Sequence, residues 1–356
     1  MRDRFRKVQA RWRPLALLFG ALLSLVALSG CNLIGLVTGP VLGTLDLGNA
    51  DASQTFTQNI PYSGQRIVLE NLVGSITIES WGKAGFVVLR PTLLIQAEKK
   101  VRGLPLDKIK IIVEQSANEI HIRTEGPSEM GVGHFELLPP RLLADRLGWV
   151  DYTLKVPVGA TLDLEQQIGR VTVSGLSGRL TADIQVGTLT VSGVRLETAE
   201  LSSEAGDLQL QDSSVGQAQL STQAGQLVVE RSTFSRARLE TQAGDVRLRQ
   251  VAFKERGTVS SQMGSIRLDT VSGPSVSADT QLGSIAVRLL SSRSVSIEAQ
   301  TQLGGITFWA FDPSTHAQRS SNWPGASLSV RLGEGRDRLT LSTQMGGISI
   351  RVQPKQ

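Results

Sequence analysis

The chain predicts an all-β fold: a single-stranded β-solenoid of roughly ten coils of 18–21 residues, with an N-terminal antiparallel β cap. Three observations predict it. One phrase recurs from Gln167 to Ile350: Gln, an apolar residue, Gly, a small or polar residue, then apolar–any–apolar, as in Gln167-Ile168-Gly169-Arg170-Val171-Thr172-Val173. Its glycines (Gly169, Gly187, Gly206, Gly225, Gly244, Gly264, Gly283, Gly304 and Gly346) are spaced by 18, 19, 19, 19, 20, 19, 21 and 42 residues, the last step being two units with one phrase missing. The columns two and four residues after the glycine are apolar in every copy, from Val171 and Val173 to Ile348 and Ile350. Such a period is the mark of stacked units that bury one continuous core which no unit could bury alone.

Within a unit, apolar and polar residues alternate on both sides of the glycine. Around Gly244, Ala237, Leu239 and Ala243 alternate with Arg238, Glu240 and Gln242, then Val246 and Leu248 with Arg247 and Arg249. Period-two alternation reads as two short strands, and the glycine between them as a bend that tolerates positive φ. Strands about 4.8 Å apart give a rod on the order of 45 Å long. The residue before the glycine is Ala205, Ala224 and Ala243 in the middle, then Met263, Leu282, Leu303 and Met345, so the cross-section is expected to widen toward the C-terminus. The Gln column is expected to stack its amides coil on coil. Five residues after the glycine, Glu230, Arg249, Asp269 and Arg288 alternate in sign, which reads as a solvated salt-bridge ladder.

Residues 1–30 read as a targeting segment. Arg2, Arg4, Arg6, Lys7, Arg11 and Arg13 form a basic region, and Leu15 to Ala27 an apolar stretch short for a bilayer span. Leu28-Ser29-Gly30-Cys31 resembles the bacterial lipobox, and the resemblance implies cleavage before Cys31 and lipidation of that residue by diacylglycerol and an acyl chain such as palmitate. Multiple acyl chains give stable anchoring. The whole chain has 37 Lys and Arg against 32 Asp and Glu, but residues 1–30 hold six of the bases and one of the acids, so the remainder is balanced at 31 each. The basic pI therefore gives no reason to expect nucleic-acid binding. Cys31 is the single cysteine, so no disulfide framework is expected.

Residues 31–54, rich in glycine, read as a tether between membrane and rod. Residues 55–150 read as a divergent β region that caps the first coil, with alternating stretches at Phe86 to Gln96, Ile109 to Glu114 and Glu119 to Arg123. Gly126 to Leu147 breaks the pattern, and Arg141 to Leu147 suits a short helix. Residues 151–356 are the repeats, with an inserted polar loop near 311–325 that contains Asp312, Pro313, His316, Trp323 and Pro324 and is the best candidate for a specific contact.

Several stretches together resemble the bacterial "putative adhesin" family, a β-strand-repeat domain of unknown function. They are Ile67-Val68-Leu69-Glu70-Asn71 leading to Gly74-Ser75-Ile76-Thr77-Ile78, the segment Tyr152-Thr153-Leu154-Lys155-Val156-Pro157-Val158-Gly159-Ala160, and the ladder of Gly-x-apolar-x-apolar phrases. The resemblance runs from about residue 55 to the end. It implies a β-solenoid and little about chemistry. The family usually carries Asn or Ser where this chain carries Gln before the glycine.

No catalytic constellation is evident. His121, His134 and His316 stand apart from one another and from Cys31, so no metal and no cofactor are expected. There is no Gly-x-Ser-x-Gly elbow and no P-loop. The enzymatic rival is a polysaccharide-active β-helix enzyme, with Asp207 and Asp245 two coils apart, about 9.6 Å. Arg247 and Arg267 adjoin and suit an anion, or are relieved by Asp245 and Asp269. The sequence thus points to a non-catalytic, lipid-anchored, extracytoplasmic protein of the bacterial envelope, acting in surface binding or adhesion or as a structural module. Its expected partners are the membrane through Cys31 and an envelope polysaccharide or surface protein. Asn32 after the lipidated position favours the outer membrane where one exists, and otherwise the outer face of the cell membrane is expected. A further alternative is an envelope scaffold that self-associates end to end, because the chain stops just after Ile350-Arg351-Val352-Gln353-Pro354.

Overall fold

Each coil of the solenoid is a pair of strands that lies parallel to, and in register with, the pairs above and below. Ser214–Ala224 pairs with Arg195–Ala205 on one side and with the second half of Leu227–Ala243 on the other. Leu208–Gln211 likewise lies between the second half of Ser177–Ser192 and the first half of Leu227–Ala243. Parallel stacking of this kind needs no hairpin, because the chain climbs one rung per circuit. The computed structural model describes residues 49–81, 91–126, 147–290, 294–310, 317–322 and 324–354, all within the compact unit Leu47–Gln356. Among them the secondary structure is β-strand with one 3-10 turn, Leu106–Lys108. The targeting segment, Cys31, most of the tether, residues 141–146 of the expected helix, and residues 311–316 and Trp323 of the polar loop lie outside the described residues.

The inward columns are Leu220, Leu239 and Val259 on the long strand and Leu208, Leu227, Val246 and Ile266 after the bend, all buried. Fully burying one such side chain is worth about 1.5–3 kcal/mol. Phe234 and Phe253 stack in the core with ring centroids 5.7 Å apart.

Two corners turn each coil. At the first sits the phrase glycine, with φ between +142° and +156° from Gly187 to Gly346. A Cβ at Gly206 would collide with the carbonyl oxygen of Gly187 on the rung before, and one at Gly244 with that of Gly225, so no side chain fits. On five rungs the carbonyl pointing into the bend takes a donor from a hydroxyl three residues before the next rung's glycine, whereas Ser203 and Thr241 stand in that column without a hydrogen bond among the described residues and Ile184 carries no hydroxyl. Thr222 donates to Gly206 at 3.3 Å, Ser261 to Gly244 at 3.2 Å and Thr280 to Gly264 at 3.0 Å. These hydroxyls are buried, yet satisfied, so they stabilise register at little desolvation cost. The second corner is left-handed, at Gly175, Gly193, Asp212, Arg231, Gln250 and Thr270, with φ of 64°, 62°, 53°, 44°, 56° and 56°.

The order of rungs departs from the order of the sequence at both ends. Asp337–Met345 and Ile348–Gln353 slide between the coil of Ser275–Leu282 and Ile285–Leu290 and the coil of Val295–Leu303 and Ile306–Ala310. The glycine stack follows suit, for a Cβ on Gly346 would meet Gly283 and one on Gly304 would meet Gly346. At the other end, Arg66–Ser80 lies between Thr161–Ser174 and an outer layer made of Glu119–Glu125 and Leu147–Val156. Beyond that layer run the antiparallel strands Thr92–Arg102, Ala52–Pro61 and Lys110–Gln115.

This corrects two expectations. The 42-residue step is not a coil with its phrase missing: Gly325–Leu332 runs antiparallel along the outer edge of Val295–Leu303, and Ala317–Asn322 pairs with it in turn. The last phrase is also not the end of the stack, because Ile348–Gln353 has a strand on each side, which removes the ground given for end-to-end pairing through Ile350 to Pro354. The expected widening is corrected as well. Leu282, Met345 and Leu303 are 41 %, 47 % and 49 % exposed, so the larger residues before the glycine point outward and add nothing to the core.

Candidate functional site

The outward face of the long strands forms an open groove of roughly 780 Å³ that runs along the rod from Asp183 to Ser342. Its floor is one register column, Asp183, Ser202, Ser221, Glu240, Ser260, Asp279 and Ser342, one residue per rung. Its wall is the Gln column, with Glu204, Gln223, Gln242, Gln262, Gln281 and Gln344. These amides stand in register, but among the described residues no hydrogen bond joins one to the next, which corrects the expected amide ladder. They keep their donors and acceptors for solvent or a ligand.

The floor acids are engaged by neighbours. Ser260 donates to Glu240 at 3.3 Å and Ser277 to Asp279 at 2.7 Å, and Arg238 pairs with Glu240 at 2.6 Å. At the N-terminal end three carboxyls crowd together. Burial raises Asp183 from its ordinary value against the hydrogen bond of Ser202. Burial first, then the charge of Asp183, raises Glu204. Burial, then the charges of Glu70 and Asp183, raises Glu165. The groove offers hydroxyls, amides and carboxylates at a repeat of about 4.8 Å, a surface for gripping an extended polar chain. Among the described residues no group of three or more His, Cys, Asp and Glu is placed to hold a metal ion.

Asp207 and Asp245, the carboxylates of the rival enzymatic reading, serve the backbone. Asp207 accepts from the N–H of Gln226 at 2.9 Å, and Asp245 from that of Ser265 at 2.9 Å. Asp151 does the same for Ser75 at 2.8 Å. In each case the side chain satisfies the N–H that the glycine bend leaves without a strand partner on the next rung. His121 meets Glu70 at 3.0 Å, and His134 and His316 lie outside the described residues. Arg247 reaches Asp245 at 3.4 Å, whereas Asp269 pairs with Arg288 at 3.2 Å rather than with Arg267. The charge ladder exists as two pairs, Glu230 with Arg249 at 2.8 Å and Asp269 with Arg288.

A family model described as Toastrack DUF4097 matches residues 108–351, more than half of the chain. The chain belongs to the Toastrack DUF4097 family. Solved structures similar to this Toastrack chain include a putative adhesin from Bacteroides fragilis, 14 % identical over 85 % of this chain and 100 % of that one, with a TM-score of 0.38. Another is a putative adhesin from Parabacteroides distasonis, 12 % identical over 84 % and 97 %, with a TM-score of 0.41. A putative cell adhesion protein from Clostridium sporogenes is 10 % identical over 85 % and 100 %, with a TM-score of 0.19. No curated protein matches the chain.

One polar cluster in the Toastrack fold escaped the sequence reading. Tyr152 and Thr124 share a hydrogen bond of 2.8 Å, Thr124 donates to Asn71 at 3.0 Å, and Asn71 donates to Gln166 at 3.1 Å. Gln166 donates to the carbonyl of Gly74 at 3.2 Å, the role that hydroxyls play on later rungs. The network ties four strands far apart in sequence and fixes their register. Burial pushes the Tyr152 hydroxyl up to about 12, so it stays protonated and available as a donor. Its signal in the sequence was a polar residue in the inward column, Asn71 and Gln166 standing where the rungs from Ser203 onward carry Ser or Thr and one rung carries Ile184.

Proposed function

We propose that this Toastrack chain is a lipid-anchored, extracytoplasmic rod of the bacterial envelope that binds a surface partner and catalyses nothing. The observation that carries the reading is the groove from Asp183 to Ser342: a polar row repeated on consecutive rungs, whose acids Glu240 and Asp279 are held by neighbouring side chains. A repeated row suits an extended ligand with a repeating polar pattern, and a rigid stack of rungs presents it without reorganisation on binding. Cys31 supplies the anchor in this reading, with the glycine-rich segment behind it as the tether.

The test is protease shaving of intact cells, with lysed cells as control, alongside fractionation of a Cys31→Ala protein. The expected result is that the rod is cut from whole cells and that the Cys31→Ala protein leaves the membrane fraction still folded. Protection of the rod until lysis removes adhesion from the reading. Retention of the Cys31→Ala protein in the membrane pellet removes the lipid anchor.

A further inference from the structure

The intercalated last rung changes the charge pattern on the face after the glycine bend. In register order the column five residues after the glycine reads Glu230, Arg249, Asp269, Arg288, Arg351, Trp309. The alternation of sign holds to Arg288 and then fails, because the inserted rung sets Arg351 directly beside Arg288. Like charges facing across adjacent strands repel. Arg288 has Asp269 at 3.2 Å, whereas Arg351 is exposed and, among the described residues, has no carboxylate within ion-pair distance. The next residue along the column is Trp309, 55 % exposed, the most exposed large hydrophobic side chain among the described residues. Arg267, two rungs from Arg351 and also exposed, is likewise without an ion pair among the described residues.

We propose that Arg267, Arg351 and Trp309 form a binding track for an anionic glycan. The three span about 14 Å along the rod, three steps between rungs. A free guanidinium offers a planar fork of donors to a carboxylate or phosphate. An indole face lying open to water covers the apolar face of a sugar ring, and the small side chains Ala286, Ser349 and Thr307, which follow Arg267 in the adjoining column, leave the strip beside Arg351 and Trp309 shallow. A nucleic acid fits less well, because Glu230, Asp245 and Asp269 share this face and break any continuous positive field. The track lies on the short-strand face, apart from the groove, and it rests on the reading of the chain as a surface-binding protein, to which it adds the class of ligand.

The experiment measures binding of the full chain to immobilised polygalacturonate, to lipoteichoic acid and to neutral dextran, over a range of salt. Binding to either anionic polymer and not to dextran is expected, and which of the two binds tells a carboxylate from a phosphate. Arg351→Ala is expected to weaken that binding by roughly two- to fivefold, the range of an exposed ion pair. Trp309→Ala is expected to weaken it at all salt concentrations, and Arg351→Lys to restore part of it. Both positions are exposed, so the thermal midpoint should not move, and Arg236→Ala on another face is the control. No binding to either anionic polymer, equal binding to dextran, or wild-type binding by both Arg351→Ala and Trp309→Ala overturns the proposal. A rod shaved from intact cells whose adhesion survives both substitutions overturns the track alone, whereas a rod protected until lysis overturns the surface-binding reading beneath it.

Discussion

The hydroxyl of Thr343 donates to the carbonyl oxygen of Gly283 at 3.1 Å, across 60 residues of chain. On the other side of the same rung, Thr301 donates to the carbonyl of Gly346 at 3.0 Å. The bond that elsewhere joins consecutive coils here joins coils out of order, and it marks where the end of the chain is threaded into the stack. The rung from Asp337 to Gln353 is therefore the only link through the ladder between the coil ending at Leu290 and the coil from Val295 to Ala310 among the described residues.

A chain that stops after Arg336 should lose its outermost coil and keep the rest. Coupling in a solenoid runs between neighbours, so removing one rung detaches what lies beyond it without melting what lies before it. Hydrogen exchange should show Val295–Leu303 losing protection while Ser214–Ala224 keeps it. Unchanged protection of Val295–Leu303 would show that the threaded rung holds nothing.

Gly244→Ala should destabilise the rod by about 3 kcal/mol or more, because the methyl group has no free volume and φ at this corner is +156°. Gly305→Ala, at a glycine with open space around its Cβ position, should change stability by less than about 0.5 kcal/mol. Urea unfolding of the two variants checks this, and equal midpoints for both contradict the account of the bend.

The crowded carboxyls give a pH dependence with a definite sign. Asp183, Glu165 and Glu204 are raised in the folded state, so folding favours their protonated forms. Their ionised forms oppose folding above the raised values, and that opposition fades as pH falls through them toward the ordinary carboxylate range, near pH 4. Asp183→Asn should therefore stabilise the rod at pH 7 and make little difference near pH 4. Because Asp183 raises both neighbours, the variant should also lower the values of Glu165 and Glu204, which NMR titration reads directly. A variant less stable than wild type at pH 7 refutes this.

The phrase itself determined the all-β class, the parallel coils, the bend glycine and the two apolar columns. Each of these is local: alternation sets which side chains face inward, and a Gly recurring at a fixed period between two alternating runs reads as a corner. The Glu230–Arg249 and Asp269–Arg288 pairs were legible for the same reason, since they follow from one-rung spacing. Roles that depend on what the neighbouring rung offers were not legible. Asp207 and Asp245, two coils apart and the carboxylates of the rival enzymatic reading, are backbone acceptors in the fold. Leu282, Leu303 and Met345 look like core and face solvent, whereas Val73 and Ile168 at the same position are buried because Trp149 covers them.

Only the tertiary structure decided the order of the rungs. Every copy of the phrase carries the same inward columns and the same corner, so the phrase holds no local mark of which neighbour its coil takes. That choice rests on where the antiparallel strands Thr92–Arg102 and Gly325–Leu332 cover the outer edges and on the path the chain must take back into the stack. Arg351 and Trp309 come together through that choice, which no periodicity in the sequence records.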